Sequence, residues 1–136
     1  MLYITENKID TNALIDFVQT DGAGAIDVFI GTVRNKTSEK KVVRLEYEVY
    51  DKMALKQIES IVNQACTQWT ILKYAVVHRK GVLAIGEIAV VVAVATPHRQ
   101  AAFEACKYII DTIKENVPIW KKEIYEDGEV WVSAHP

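Results

Sequence analysis

The chain has 136 residues, 50% hydrophobic and 25% charged, with 18 acidic side chains against 16 basic ones for a net charge of −2. That length suits one domain with its own core, and the balance excludes disordered and fibrous classes. It also argues against a general nucleic-acid binder, while leaving room for a small basic pocket. Cys66 and Cys106 lack CxxC spacing, so neither a zinc site nor a disulfide framework is expected. Met1–Glu6 has no basic start leading into a long apolar run, and the most apolar stretch, Ile85–Ala95, is too short to span a bilayer. A reduced, cytoplasmic protein is the expectation. No repeat, low-complexity tract or linker divides the sequence, which reads as one domain over residues 1–136.

In chain order, Leu2–Thr5 reads as a short strand. Asp10 can cap a helix with an apolar face of Leu14, Phe17 and Val18, ended by Gly22 and Gly24. Ala25–Arg34 is a β-branched and aromatic strand, Asn35–Lys41 a polar, mobile loop, and Val43–Val49 a strand of period two. Asp51 suits the N-cap of a helix that buries Met53, Ile58, Ile61, Val62, Ala65 and Trp69. Ile71–His78 is a strand, Gly81 a turn, and Glu87–Ala95 a nearly continuous apolar strand covered on both faces. A last helix starts at Thr96-Pro97, buries Ala102, Phe103, Cys106, Ile109, Ile110 and Ile113, and stops before Pro118. Asp127-Gly128 marks a hairpin in the tail Ile119–Val132. This order of strands and helices predicts an α+β domain with a largely antiparallel sheet.

Two segments can carry chemistry. In Thr96-Pro97-His98-Arg99, Thr96 fits an N-cap and Pro97 the first helical position, which sets His98 and Arg99 in the first turn. Free N–H groups and the helix dipole favour an anion there, so cations are misplaced unless one arrives. The segment is either a solvated surface turn or a phosphate or carboxylate pocket. In Lys114–Glu123, Lys114 sits where a helix C-terminus favours a cation, and Lys121 and Lys122 can be ordinary strand charges. Pro118 and Trp120 can equally hold Lys114 and Lys121 beside a shared pocket, where desolvation makes a lysine a usable acid, base or nucleophile. Arg34, ending a strand near Phe29, is a rim residue or a carboxylate and phosphate fork. His78 and Arg79 read as structure or rim, and Cys106 as a buried, inert thiol. His98 and Lys114 would stand about 24 Å apart along a straight helix, sixteen residues at about 1.5 Å each. One small-molecule pocket within one subunit cannot easily use both ends. A homodimer with composite sites is therefore expected.

Taken together, Phe29–Arg34, Leu45–Tyr50 with Met53-Ala54, Val77–Gly81 with Ile85–Glu87, His98–Phe103, Lys114, Val117–Glu123, Gly128 and Trp131-Val132 resemble one family: the catalytic subunits of molybdopterin synthase. The match runs from about residue 23 to 132, and its specificity lies in combining the His-Arg helix start with the Pro-x-Trp-Lys run. The resemblance implies an α/β-hammerhead fold with an additional antiparallel sheet. It implies a homodimer within a heterotetramer, capped by a small ubiquitin-like sulfur-carrier subunit whose C-terminal Gly-Gly thiocarboxylate enters the pocket. It implies a sulfurtransferase that inserts two dithiolene sulfurs into cyclic pyranopterin monophosphate. Lys114 and Lys121 are then catalytic; Thr32, Val33, Arg34, His98, Arg99, Lys122 and Glu123 bind substrate; and Phe29 forms a pocket wall. The sulfur arrives on the partner, so no metal, cofactor or cysteine nucleophile is needed. Thr32 stands where the family often has a lysine. The competing readings are a non-catalytic module that binds a ubiquitin-like Gly-Gly tail and a small phosphoester-handling enzyme. Lys114 and Lys121 together favour the sulfurtransferase.

Overall fold

The computed structural model describes residues 1–37 and 40–133. Its elements are β1 (Leu2–Thr5), α1 (Thr11–Val18), β2 (Ala25–Thr32), β3 (Lys36–Thr37), β4 (Lys40–Val49), α2 (Asp51–Gln68), β5 (Lys73–Arg79), β6 (Gly81–Ala84), β7 (Ile88–Thr96), α3 (Arg99–Asn116), β8 (Ile119–Tyr125) and β9 (Gly128–Ser133). They form the expected α+β architecture with two sheets. The first runs β1-β5-β7-β2; the second runs β3-β4-β8-β9, with β6 also paired to β4. Among the described residues only β1 and β5 pair in parallel.

β7 lacks polar alternation because it lies inside the first sheet with helices on both faces. Val90, Val92 and Val94 point into a core shared with Ile58, Val62, Ile109 and Ile113 of α2 and α3. Val91, Ala93 and Ala95 point the other way, onto Leu14 and Val18 of α1. β4 is the spine of the second sheet. Leu45 and Tyr47 on its inner face sit beside Leu83 and Gly81 of β6 on one side and Glu123 and Lys121 of β8 on the other. A smaller core of Val33, Val42, Leu45, Leu83 and Ala89 joins the two sheets.

The structure corrects several local expectations. Asp10 does cap α1, its Oδ1 accepting from the Ala13 N–H at 3.1 Å, but the helix ends at Val18, ahead of Gly22 and Gly24. Phe17, Met53 and Phe103 are exposed, since spacing defines an apolar stripe while its margins are covered only where a neighbour reaches. Asp51 is the first residue of α2 and Tyr50 its N-cap; the Asp51 carboxylate instead binds Lys80 Nζ at 2.7 Å. Thr96 belongs to β7, its hydroxyl donating to the His98 carbonyl, so His98 is the N-cap of α3 and Arg99 its first residue. Within the expected loop Asn35–Lys41, Lys36 and Thr37 pair with Lys41 and Lys40; Ser38 and Glu39 lie outside the described residues. β6, too short to show periodicity, is an additional strand after the turn at Gly81, whose φ is +91°. The tail hairpin forms as expected, with Glu126 and Asp127 between the paired residues Tyr125 and Gly128. No helix among the described residues is long and apolar enough to cross a membrane.

The start of β2 meets the start of α3 so closely that a Cβ on Gly24 would lie 2.3 Å from the Pro97 carbonyl oxygen. Gly24→Ala must push main chain aside and should cost about 1–3 kcal/mol. Gly22→Ala, which would meet only the Leu72 side chain at 3.5 Å, should leave stability nearly unchanged. Thermal unfolding of the two variants checks the contrast.

Candidate active site

A narrow cavity of about 50 Å³ opens where the C-terminal turns of α3 meet the inner face of the second sheet. Gly31 and Thr32 of β2, Tyr47 of β4, His78 of β5, Val90 of β7, Lys114 of α3 and Ile119 of β8 line it. Gly31 is required by space: a Cβ there would stand 2.7 Å from Val90 Cγ1 and 3.3 Å from the Phe29 ring. Phe29 is half-buried and packs on the main core beside this point.

Three cations gather from separate elements. Lys114 comes from the last turn of α3, Lys121 from the inner face of β8, and Arg34 from just beyond β2. Burial pulls the Lys114 ammonium below the ordinary lysine range, and repulsion from Lys121 and Arg34 adds to the shift. Glu123, two residues along the same face of β8, is buried. Its Oε1 lies 3.7 Å from Lys121 Nζ, and its Oε2 accepts from the Tyr125 hydroxyl at 2.8 Å. Glu123 thus serves Lys121, and Lys114 has no ion pair among the described residues.

The cavity floor is uncharged. Burial, with Glu123 adding, pushes the Tyr47 phenol up to about 12, so it keeps its proton. Burial lowers His78 to about 4 despite a hydrogen bond to the Arg79 carbonyl, and the Lys114 charge acts in the same direction. The Tyr47 and His78 rings meet edge to face at 5.4 Å. Neither residue stands out as a site residue in the sequence. The available signals are a tyrosine on the inward period of β4 and a titratable residue closing an otherwise apolar run in β5. Arg79 is no rim residue: buried, it binds the Glu87 carboxylate and donates to the Glu6 carbonyl at 2.9 Å.

The remaining candidate residues, Thr32 excepted, lie elsewhere. His98 and Arg99 are exposed at the opposite end of α3 from Lys114. Lys122 is on the outer face of β8, with Nζ 3.5 Å from Glu129 and 5.1 Å from the centre of the Trp131 ring. Val33 is buried; its N–H donates to the Glu87 carbonyl and its own carbonyl accepts from Gly86, so it anchors the strand end that carries Arg34. Thr32 is exposed at the cavity mouth.

The site is thus a small cavity with an uncharged floor, lined by Lys114 and with Lys121 and Arg34 near enough to act on that lysine's charge. A family model described as MoaE protein matches residues 4–116. The molybdopterin synthase catalytic subunit of Bacillus subtilis is 52% identical over 129 residues, covering 95% of this chain and 82% of the relative. The crystal structure of molybdopterin synthase from Staphylococcus aureus superposes with a TM-score of 0.91 at 43% identity, covering 96% of this chain and 95% of that one. A complex of subunits 1 and 2 of molybdopterin-converting factor from Helicobacter pylori shares the fold, with a TM-score of 0.81 at 23% identity, covering 99% of this chain and 93% of that one. The chain belongs to the MoaE family, that of the molybdopterin synthase catalytic subunits.

The buried His78 makes stability depend on pH. Between about 6.5 and about 4 the unfolded chain binds a proton that the native imidazole refuses, so stability falls as pH falls through that window. The loss should approach about 3 kcal/mol at the lower end. Urea unfolding from pH 7 to pH 4.5 checks this, with a shallower slope expected for His78→Gln.

Proposed function

We propose that the cavity takes the C-terminal Gly-Gly thiocarboxylate of a small ubiquitin-like subunit and transfers its sulfur to cyclic pyranopterin monophosphate. Two such transfers create the dithiolene of molybdopterin and open the cyclic phosphate. In each, the carbon–sulfur bond of the thiocarboxylate breaks in the end, water supplies the replacing oxygen, and the partner leaves as a carboxylate. The H. pylori structure is a complex of two subunits, which supports a partner of this kind. The carrying observation is the cluster of Arg34, Lys114 and Lys121, in which Glu123 stands beside Lys121 and Lys114 has no ion pair among the described residues, in a chain whose net charge is −2. Both reactants are anions that repel each other, and local cations offset that repulsion. The narrow cavity suits a chain end without side chains.

Lys114, partly desolvated, meets the partner's terminal carbonyl, stabilising charge there and donating a proton; Lys121 assists. Glu123 holds Lys121 rather than touching the pterin. Arg34 grips the phosphate. His98 and Arg99 complete the phosphate site from the second copy of a homodimer, since α3 separates them from Lys114 within one copy. Val33 places Arg34 through the main chain, and Thr32 and Phe29 shape the approach. Lys122 serves the outer face of the sheet. The reaction belongs to molybdenum cofactor biosynthesis in a reducing cytoplasm, where the free Cys66 and Cys106 stay unpaired.

Reconstitution with the thiocarboxylated small subunit and cyclic pyranopterin monophosphate, followed by mass spectrometry, tests this reading. The natural chain should yield the dithiolene product, and Lys114→Ala should slow it by about a hundredfold or more. No product with tail binding intact would instead indicate a non-catalytic tail-binding module.

A mixing experiment tests the composite site. Arg99→Ala and Lys114→Ala homodimers should each be impaired. Exchanging subunits should restore about half the natural rate per mixed dimer, because one of its two sites regains both residues. No recovery would place Arg99 and Lys114 in the same subunit's site, or Arg99 outside it.

A further inference from the structure

His78 lines the cavity but has no part in the sulfur transfer proposed for it. Its Nδ1 lies 2.7 Å from the Arg79 carbonyl oxygen. A carbonyl only accepts, so Nδ1 carries the proton and Nε2 presents a bare lone pair. No described residue donates to Nε2, and the edge-on contact with Tyr47 fixes the plane of the ring. Lys114 lines the same cavity without a carboxylate partner, because Glu123 is engaged by Lys121 and Tyr125. The groups facing this pair are Arg34 beyond β2, Tyr47 on β4, and Lys121 and Glu123 on β8. Two of these are cations, which offer Lys114 no acceptor and oppose its charge.

We propose that His78 is a positioning residue: its Nε2, unpartnered in this structure, is the acceptor toward which the neighbouring Lys114 ammonium turns, and that hydrogen bond holds the lysine charged and aimed at the point where the partner's carbonyl arrives. A neutral imidazole suits the task, since an imidazolium would add a fourth positive charge and lose its acceptor. Burial supplies that neutrality: the ring stays unprotonated far below the pH at which an exposed histidine charges. The inference rests on the sulfur-transfer reading for its catalytic meaning, but the hydrogen bond can be read without turnover.

The test uses the full chain as natural protein, His78→Leu, which removes the acceptor, and His78→Gln, which keeps one. NMR follows the titration of the Lys114 amine. In His78→Leu the midpoint should fall by about one pH unit, the scale of one hydrogen bond to a charged group, and in His78→Gln it should stay near the natural value. Single-turnover sulfur transfer on the reconstituted complex should show the matching pattern. His78→Leu should be about tenfold slower with KM unchanged, its basic limb displaced to lower pH, and His78→Gln should restore the rate. An unmoved Lys114 midpoint in His78→Leu, or a Gln variant as impaired as the Leu one, overturns the proposal. If His78→Leu does not fold, ¹⁵N shifts of the natural imidazole decide: a protonated Nε2 overturns the proposal, and a bare Nε2 hydrogen-bonded to Lys114 supports it. Failure of the natural chain to make product would remove the sulfur-transfer reading and leave the hydrogen bond to be judged by NMR alone.

Discussion

Holding Arg34, Lys114 and Lys121 around one cavity opposes electrostatic repulsion, and the fold is arranged to withstand it. The three side chains come from a strand end, a helix end and a strand face, so no single segment can relax to separate them. Lys114 also stands at a helix C-terminus, where the dipole favours a cation and offsets part of its desolvation. Glu123 and Tyr125 fix Lys121 without neutralising the rest. The Lys114 charge is left without a carboxylate partner among the described residues, and this is the feature on which the proposed anion-binding role rests.

The scaffold supplies rigidity at the places this repulsion acts. Val33 closes both main-chain hydrogen bonds with Gly86 and Glu87, so Arg34 projects from a tethered strand end. Arg79 ties the Glu6 carbonyl to the Glu87 carboxylate from a buried position, joining the end of β1 to the start of β7. Beside them Gly31 lets Val90 and Phe29 close in where a methyl group would not fit. The packing that keeps the cavity narrow also excludes water from its floor, and that same exclusion keeps Tyr47 and His78 neutral. Shape and protonation state therefore have one cause.

Much of the fold is legible in the residues alone. The unbroken apolar run of β7 announces a strand covered on both faces, and the alternation in β4 announces one with a wet side. The errors cluster where local signals have more than one use. Asp51 looks like a cap because an aspartate before a helix usually is one, yet its carboxylate serves Lys80 from a distant turn. Thr96-Pro97 has the composition of a helix start, but Thr96 keeps its place in the β7 ladder opposite Ala25, which moves the cap to His98. Phe103 and Met53 have core chemistry and core spacing but no neighbour among the described residues that covers them.

The candidate site divides along the same line. Residue types and spacing alone pointed to Lys114, Lys121, Arg34, His98 and Arg99 as the cations worth following, because charge in the first or last turn of a helix and at strand ends is readable locally. Helix rise alone also separated His98 and Arg99 from Lys114. Only the tertiary structure decided that Lys121 and Glu123 share the cavity face while Lys122 takes the other, because the pairing of β8 with β4 sets which side of the sheet turns inward. Only tertiary packing decided that His78, ordinary by sequence, stays uncharged well below its usual range and that Tyr47 holds its proton more tightly than a free phenol. Protonation depends on which elements from across the chain exclude water, and no local stretch of sequence carries that information.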